Sequence, residues 1–180
     1  MADVPGVRRC ADHAGREGLI EMLAIRRATR NDVPEIHRLL LAFGRHWHRE
    51  HWVSGTQAAL DKALFGHDLR GFAHVAALDD TVVGIALWYL TYNFWLAEPV
   101  LFLEDLYVDE PARGSGAGEA LLRALAAEAL DRDCAWMDWI VRTDNEATKR
   151  FYARHGGTHN ADFDLWRMEG DQLRALAEHR

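Results

Sequence analysis

Hydrophobic positions along the chain follow two different periods after residue 22, one typical of strands and one typical of helices. From Ile36 to Phe43, apolar residues recur every three or four positions, which predicts a helix with one buried face. A cap at Asn31 or Asp32, with Pro34 in the first turn, fits the start of that helix.

The same criteria predict strands and helices over the rest of the chain. The predicted strands are Leu23–Arg27, Phe72–Leu78, Val82–Tyr92, Val100–Val108, Cys134–Val141 and Phe163–Met168. Further helices are predicted after Ser54, from the glycines at 114–118 to about Arg132, over Asn145–Arg154, and around Leu173 and Leu176. The second and third strands form an antiparallel hairpin with a turn at residues 79–80. The order predicts a mixed α/β domain with an antiparallel start and one or two parallel crossovers.

Composition narrows the class of protein. The 180 residues include 21 basic and 28 acidic side chains, a net charge of −7. The composition, with 49% hydrophobic and 27% charged residues, is typical of a globular protein and excludes a chain that is disordered throughout. A net acidic chain disfavours general nucleic-acid binding, because phosphate contacts need clustered Lys and Arg. No run of 18 apolar residues occurs, so no membrane partner is expected.

The first 21 residues differ from the rest, because their charged residues alternate with Gly and Ala without a period. They predict a flexible tail over 1–21, followed by a single domain over 22–180. Translation from either Met1 or Met22 is compatible with this division. Cys10 and Cys134 are too few for a disulfide framework, which favours a reducing, cytoplasmic location.

The most informative segment is the glycine-rich turn Arg113–Gly118, which lies between a predicted strand and a predicted helix. Successive glycines let backbone N–H groups converge, and the start of the helix adds partial positive charge. With Arg113 as a cation, the turn predicts a cradle for phosphate oxygens. A turn that merely requires flexibility is the alternative. A dinucleotide site is disfavoured, because that motif opens an early βαβ unit.

Arg113–Gly118 resembles the R-x-x-G-x-G/A loop that binds the coenzyme A pyrophosphate in the GNAT superfamily of N-acetyltransferases. The order of elements from Leu23 to Met168 is similar to that fold. The chain resembles most of all the diamine (spermidine/spermine) acetyltransferase branch, through Thr91-Tyr92, Leu103–Val108, Asn145-Glu146, Phe151-Tyr152 and Gly156.

The resemblance implies an α/β fold in which a mixed, mostly antiparallel sheet is flanked by helices and a splayed strand pair binds acetyl-CoA. It implies a homodimer and no metal. The cofactor-binding residues it implies are Leu106, Tyr107, Val108, Arg113, Gly114, Ser115, Gly116, Ala117, Gly118, Asn145 and Tyr152. Tyr152 matches the position of the general acid that protonates the departing thiolate.

Two adjacent carboxylates interrupt the apolar pattern of the fourth predicted strand. Strand alternation puts Glu104 and Asp105 on opposite faces. An amine must lose a proton before it attacks a thioester, and a carboxylate whose pKa is raised by burial can accept that proton. The resemblance implies that Glu104 is the base and that Asp105 attracts the cationic amine. An ion pair with Arg113 or Arg142 is the alternative for either carboxylate.

The acceptor pocket in this fold is usually built from the first two helices and the hairpin. The matching stretch over 45–52 reads Arg-His-Trp-His-Arg-Glu-His-Trp, so only Glu50 keeps the acidic character of the diamine branch. Two arginines and three histidines disfavour a multiply charged polyamine, which leaves a lysine-like or small monoamine acceptor open. Trp95, near the hairpin end, is a candidate for lining the pocket.

A metal site in this stretch is disfavoured, because on a helix only His48 and His51 would share a face. The resemblance implies acetyl transfer from acetyl-CoA to a primary amine of a small molecule, by direct attack. A protein N-terminus or an aminoglycoside as acceptor, and a non-catalytic acyl-CoA sensor, are the alternatives.

Overall fold

A computed structural model describes residues 22–178, so the tail predicted over 1–21 lies outside the described residues. The described residues form two compact units, 22–140 and 141–178, and each is considered by itself. The single domain predicted over 22–180 stays a prediction.

The first unit contains a sheet and three α-helices. Its strands are β1 Leu23–Arg27, β2 Phe72–Leu78, β3 Thr81–Asn93, β4 Glu98–Val108 and β5 Met137–Trp139. Its helices are α1 Val33–His46, α2 Gln57–Phe65 and α3 Ala117–Asp131, with short 3₁₀ turns at Arg30–Asp32, Glu50–Trp52 and Glu110–Ala112. The predicted helices and strands of this unit are confirmed, with β5 shorter than expected.

The strand order in the sheet is β1-β2-β3-β4-β5. The first four strands pair antiparallel and β5 joins β4 in parallel, which confirms the mixed, mostly antiparallel sheet. Asp79 and Asp80 form the predicted two-residue turn between β2 and β3, with φ angles of 44° and 67°. Positive φ at both central residues matches the right-handed twist of a tight hairpin.

Helices cover both faces of the sheet, because residues that alternate along each strand contact different helices. Ile36 and Leu39 of α1 are fully buried against Val75, Ile85 and Tyr107, which defines the α1 face. On the other face, α3 approaches so closely that a Cβ added at Gly84 would lie 3.3 Å from Leu121. Glycine therefore lets α3 pack directly on β3, and this side is the α3 face.

The parallel ladder between β4 and β5 is short. It runs from Leu101 opposite Met137 to Leu103 opposite Trp139, whereas β4 continues to Val108. The strand predicted from Cys134 starts later, because the Cys134 N–H donates to Ala129 O and closes the last turn of α3. The last five residues of β4 therefore have no partner in β5, as in the splayed strand pair that the resemblance implies.

The second unit contains α4 Glu146–Arg154 and α5 Gly170–Glu178. Both helices were predicted, and Gly156, with a φ of 88°, follows the end of α4. The strand predicted over Phe163–Met168 is wrong: these residues are exposed and irregular. A strand needs a neighbour for its backbone groups, and residues 141–178 contain no other strand.

Candidate active site

A β-bulge lies at the acidic pair in β4. Leu87 of β3 is opposite Asp105 and Trp88 is opposite Leu103, so one step along β3 corresponds to two steps along β4. Glu104 is the extra residue. A bulge bends the strand locally and redirects its side chains, and bulges are common beside active sites.

The bulge brings both carboxylates to the α1 face. Asp105 is opposite Leu87, which packs against the α1 core cluster. Glu104 is hydrogen-bonded to Tyr89, two residues beyond Leu87 along β3 and therefore on the same face. The alternation argument, which put the carboxylates on opposite faces, is wrong because it assumes a ladder without an extra residue.

The environments of the two carboxylates differ. Glu104 is exposed, whereas Asp105 is half-buried. Burial, with a smaller contribution from the negative charge of Glu104, raises the pKa of Asp105 from 3.8 to about 6. A carboxyl with a pKa near neutrality can exchange a proton at physiological pH. Glu104 and Asp105 form what is called here the open carboxylate pair.

Tyr89 completes this side of β4 and was not identified from the sequence. Its ring stacks on Phe102 with centroids 5.1 Å apart, and its hydroxyl is hydrogen-bonded to Glu104. Burial and the charge of Glu104 raise the pKa of Tyr89, so its hydroxyl stays protonated and donates to the carboxylate. The hairpin register would have placed Tyr89 near Glu104 only if the bulge had been known.

The glycine-rich turn forms a cradle of backbone groups before α3. Gly114 and Gly116 have φ angles of 85° and 87°, and an added Cβ at either would meet no atom within 4 Å. These glycines are therefore required for their backbone conformation, and the space above them is open. Gly116 caps α3 without a side-chain hydrogen bond, and the Ala117 N–H donates to Ser115 Oγ at 3.4 Å.

This cradle fits an anion such as pyrophosphate. The first N–H groups of a helix have no intrahelical acceptor, so those of Gly118 and Glu119 point toward the open side. The carboxylate of Glu119 forms an ion pair with Arg123 on the next turn of α3, which offsets its charge beside the cradle. Arg113 precedes the cradle and is exposed.

Residues 106–108 connect the carboxylates to the cradle. Tyr107 is buried on the α1 face, where its ring stacks on Phe43 with centroids 5.1 Å apart. Leu106, Tyr107 and Val108 all lie beyond the end of the ladder with β5. The backbone edge of β4 that faces away from β3 is therefore not paired with β5 here, as the predicted cofactor edge requires.

The second unit contains two predicted site residues. Asn145 caps α4, where its side-chain oxygen accepts from the Thr148 N–H at 3.1 Å. The amide N–H₂ of Asn145 is the part of that side chain which can donate to a ligand. Tyr152 is buried, and its ring makes an edge contact with Phe151 at 5.2 Å.

The predicted acceptor residues are more dispersed. Glu50 is exposed at the start of the second 3₁₀ turn, just after α1. Trp95 is 97% exposed in the turn between β3 and β4, where its N–H donates to Asn93. Glu104 lies six residues beyond Glu98, the first residue of β4, or roughly 20 Å along the strand. The described structure therefore does not bring Trp95 next to the open carboxylate pair.

The histidine-rich stretch over 45–52 begins in the last turn of α1. Among residues 22–178, His, Cys, Asp and Glu side chains nowhere gather in a group of three or more that could hold a metal ion. No helix in the described part of the chain is long and apolar enough to cross a membrane.

Sequence comparisons relate this chain to a known family and to known proteins. The profile of the Acetyltransferase (GNAT) family matches residues 33–157. The chain is 28% identical over 160 residues to Homo sapiens spermidine/spermine N(1)-acetyltransferase-like protein 1, covering 85% of this chain and 23% of that protein. It is 28% identical over 164 residues to Mus musculus thialysine N-epsilon-acetyltransferase, covering 85% and 96%.

A solved structure supports the fold. An integron cassette protein from the mobile metagenome of V. cholerae superposes with a TM-score of 0.74 at 22% identity, covering 87% of this chain and 98% of that one. The family profile spans well over half of the chain and includes the open carboxylate pair, the glycine-rich cradle and α4. The chain belongs to the acetyltransferase (GNAT) family.

Proposed function

We propose that this protein transfers the acetyl group of acetyl-CoA to a primary amine of a small molecule, either diamine-like or lysine-like. The observation that carries the proposal is the bulge in β4, which gathers Glu104 and Asp105 on one face. Relatives named for spermidine/spermine and for thialysine support an amine with a flexible aliphatic chain.

The cofactor edge combines the end of β4 with the glycine-rich cradle. Backbone groups of Leu106, Tyr107 and Val108 would hold the pantetheine arm, with a further hydrogen bond from Asn145. The pyrophosphate would be held by Arg113, Gly114, Ser115, Gly116, Ala117 and Gly118, whose N–H groups and single guanidinium suit a compact anion. Acetyl-CoA supplies an activated thioester when bound.

Side chains of the protein would accept one proton from the amine and donate another to the sulfur. Glu104 takes the proton that the ammonium group must lose, directly or through water, and the Tyr89 hydroxyl orients its carboxylate. Asp105 attracts the cationic amine, because its negative charge lies beside that of Glu104. Tyr152 would deliver a proton to the departing sulfur.

The acceptor is expected to carry few charges. Glu50 is the one acidic residue in the stretch 45–52, which also contains two arginines. A long polyamine would place its distal cations against this stretch, whereas a lysine-like acceptor offers a carboxylate to it. Trp95, in the turn before β4, lies too far from Glu104 to stack on the reacting end of a small acceptor.

Free-thiol release tests the proposal. The protein is incubated with acetyl-CoA and, separately, spermidine, a lysine analogue, a monoamine, an aminoglycoside or an N-terminal peptide. Thiol release with the lysine analogue, and less with spermidine, is the expected result, with none from the aminoglycoside or the peptide. No release with any acceptor, despite CoA binding, would favour a sensor.

A Tyr152→Phe variant tests the acid. The ring and its contact with Phe151 are kept while the proton is removed, so kcat falls by about 10²-fold with little change in the KM for acetyl-CoA. Turnover equal to wild type would contradict the role.

We also propose a homodimer. Phe163, Leu165 and Trp166 are 77%, 66% and 89% exposed within the second unit, which is a costly arrangement for three neighbouring apolar side chains. Sedimentation at micromolar concentration is expected to give twice the monomer mass, and a Leu165→Asp, Trp166→Asp double variant is expected to shift it toward the monomer.

A further inference from the structure

The last residue of α1 lies beside the arginine of the glycine-rich cradle. His46 Nδ1 is 3.4 Å from Arg113 Nη2, and the His46 ring is tilted by 49° to the ring of Tyr107, with centroids 6.5 Å apart. Arg113 also donates from Nε to Val108 O at 3.4 Å, and its Cζ is 5.9 Å from the centre of the Tyr107 ring. The guanidinium thus makes three contacts, although the arginine is exposed.

This contact fixes the protonation state of the imidazole. A guanidinium can only donate, so Nδ1 must be the acceptor and the ring proton must be on Nε2. Burial and the charge of Arg113 lower the pKa of His46, with a smaller contribution from His48, while Glu110 opposes them. His46 is therefore neutral at pH 7 and able to accept from Arg113.

We propose that His46 is a positioning residue that holds the Arg113 guanidinium ready for the pyrophosphate of coenzyme A, an inference that rests on the proposed function. An arginine side chain has many rotamers, and ordering it upon binding reduces affinity. Three weak contacts made before the ligand arrives remove part of that cost. Arg113 is the only basic side chain in the segment 113–118, so its orientation matters to the whole cradle.

Calorimetric titration of the full chain with CoA, without any amine, measures this effect directly. His46→Ala is expected to raise the Kd for CoA by up to about tenfold, because binding must then order an arginine side chain that is no longer held in place. His46→Asn keeps an acceptor near the position of Nδ1, whereas His46→Gln places its amide near Nε2. Affinity within twofold of wild type is expected for the asparagine variant and weak binding for the glutamine variant. The exposed His67 provides a control, and His67→Ala is expected to bind as wild type does.

A double-mutant cycle separates positioning from direct contact. If His46 acts through Arg113, then His46→Ala causes no further loss in an Arg113→Ala background. In turnover assays, His46→Ala is expected to raise the KM for acetyl-CoA and to leave kcat within twofold, at an unchanged melting temperature.

Three results would overturn the inference. They are wild-type affinity in His46→Ala, equal weakness in the alanine and asparagine variants, and additive losses in the cycle. A wild-type protein that binds no CoA would instead refute the proposed function, and this inference with it.

Discussion

Two carboxyl groups on opposite faces of the sheet have pKa values that are shifted in opposite directions. On the α1 face, burial raises the pKa of Asp105 to about 6. On the α3 face, hydrogen bonds from Arg27, and less strongly from Arg132, lower the pKa of Glu128 to about 2. Burial, without a basic partner, accounts for the raised pKa of Asp105, whereas two guanidinium partners outweigh the weaker burial of Glu128 and lower its pKa.

Glu128 is the centre of a closed set of contacts, here called the Glu128 cluster, formed by Arg27, His74, Trp88, Glu128 and Arg132. Glu128 accepts from Arg27 at 2.6 and 2.7 Å and from Arg132 at 3.0 Å. His74, which is buried, accepts from Trp88 Nε1 at 3.1 Å and places Nε2 3.6 Å from Glu128.

The two sites on this sheet differ in whether their charged groups are paired with partners. In the Glu128 cluster each charge faces an opposite charge or a hydrogen-bond partner, and the cluster ties α3 to β1 and β2. In the open carboxylate pair, two like charges adjoin and Tyr89 satisfies only one of them. A surface that keeps charge unpaired is available to a cationic ligand.

The largest expected effect is on kcat, which should depend on the open carboxylate pair and not on the Glu128 cluster. Glu104→Gln removes the proposed base and is expected to lower kcat by about 10²-fold or more. Glu128→Gln is expected to keep kcat within a few-fold at a temperature where it is folded. Steady-state rates at saturating acetyl-CoA measure both. Full turnover in Glu104→Gln would show that the base lies elsewhere.

The free energy of unfolding is expected to fall in the Glu128 variant, which keeps its activity. Glu128→Gln leaves Arg27 and Arg132 without their counter-charge, so the free energy of unfolding falls by about 2 kcal/mol. Glu98→Gln, at the exposed start of β4, is the matched control and should change it by less than about 0.5 kcal/mol. Urea titration checks both. Equal stabilities would mean that the cluster contributes no net energy.

The stability of the protein is expected to depend on pH through Asp105. Because its pKa is raised in the folded protein, Asp105 makes the folded state bind more protons between pH 4 and 6, so its contribution to stability decreases as the pH rises through that range. Asp105→Asn cannot lose a proton, so its free energy of unfolding should not decrease in this way. It should equal that of wild type below pH 4 and be higher by about 1 kcal/mol at pH 7, allowing for solvent screening. A constant difference at all pH values would contradict the cause.

Local signals predicted much of the fold and only part of the site. The stripe from Ile36 to Phe43, the hairpin turn at Asp79 and the glycines before α3 are each determined by residues near one another in sequence. The position of the bulge at Glu104 depends on how β3 pairs with β4, which no period within one strand reveals. The contact between His46 and Arg113 joins residues 67 positions apart and could not be read from spacing.

The smallest expected effect concerns Tyr89, which borders the open carboxylate pair. Tyr89→Phe keeps the stack on Phe102 and removes only the hydroxyl that donates to Glu104, so kcat should fall about threefold to tenfold, as expected for one orienting hydrogen bond. Tyr92→Phe, three residues along β3 and exposed, loses the same hydroxyl without touching the pair and should leave kcat unchanged. If both variants lose the same activity, the effect belongs to the hairpin as a whole. If only Tyr89→Phe loses activity, the Tyr89 hydroxyl acts through its hydrogen bond to Glu104.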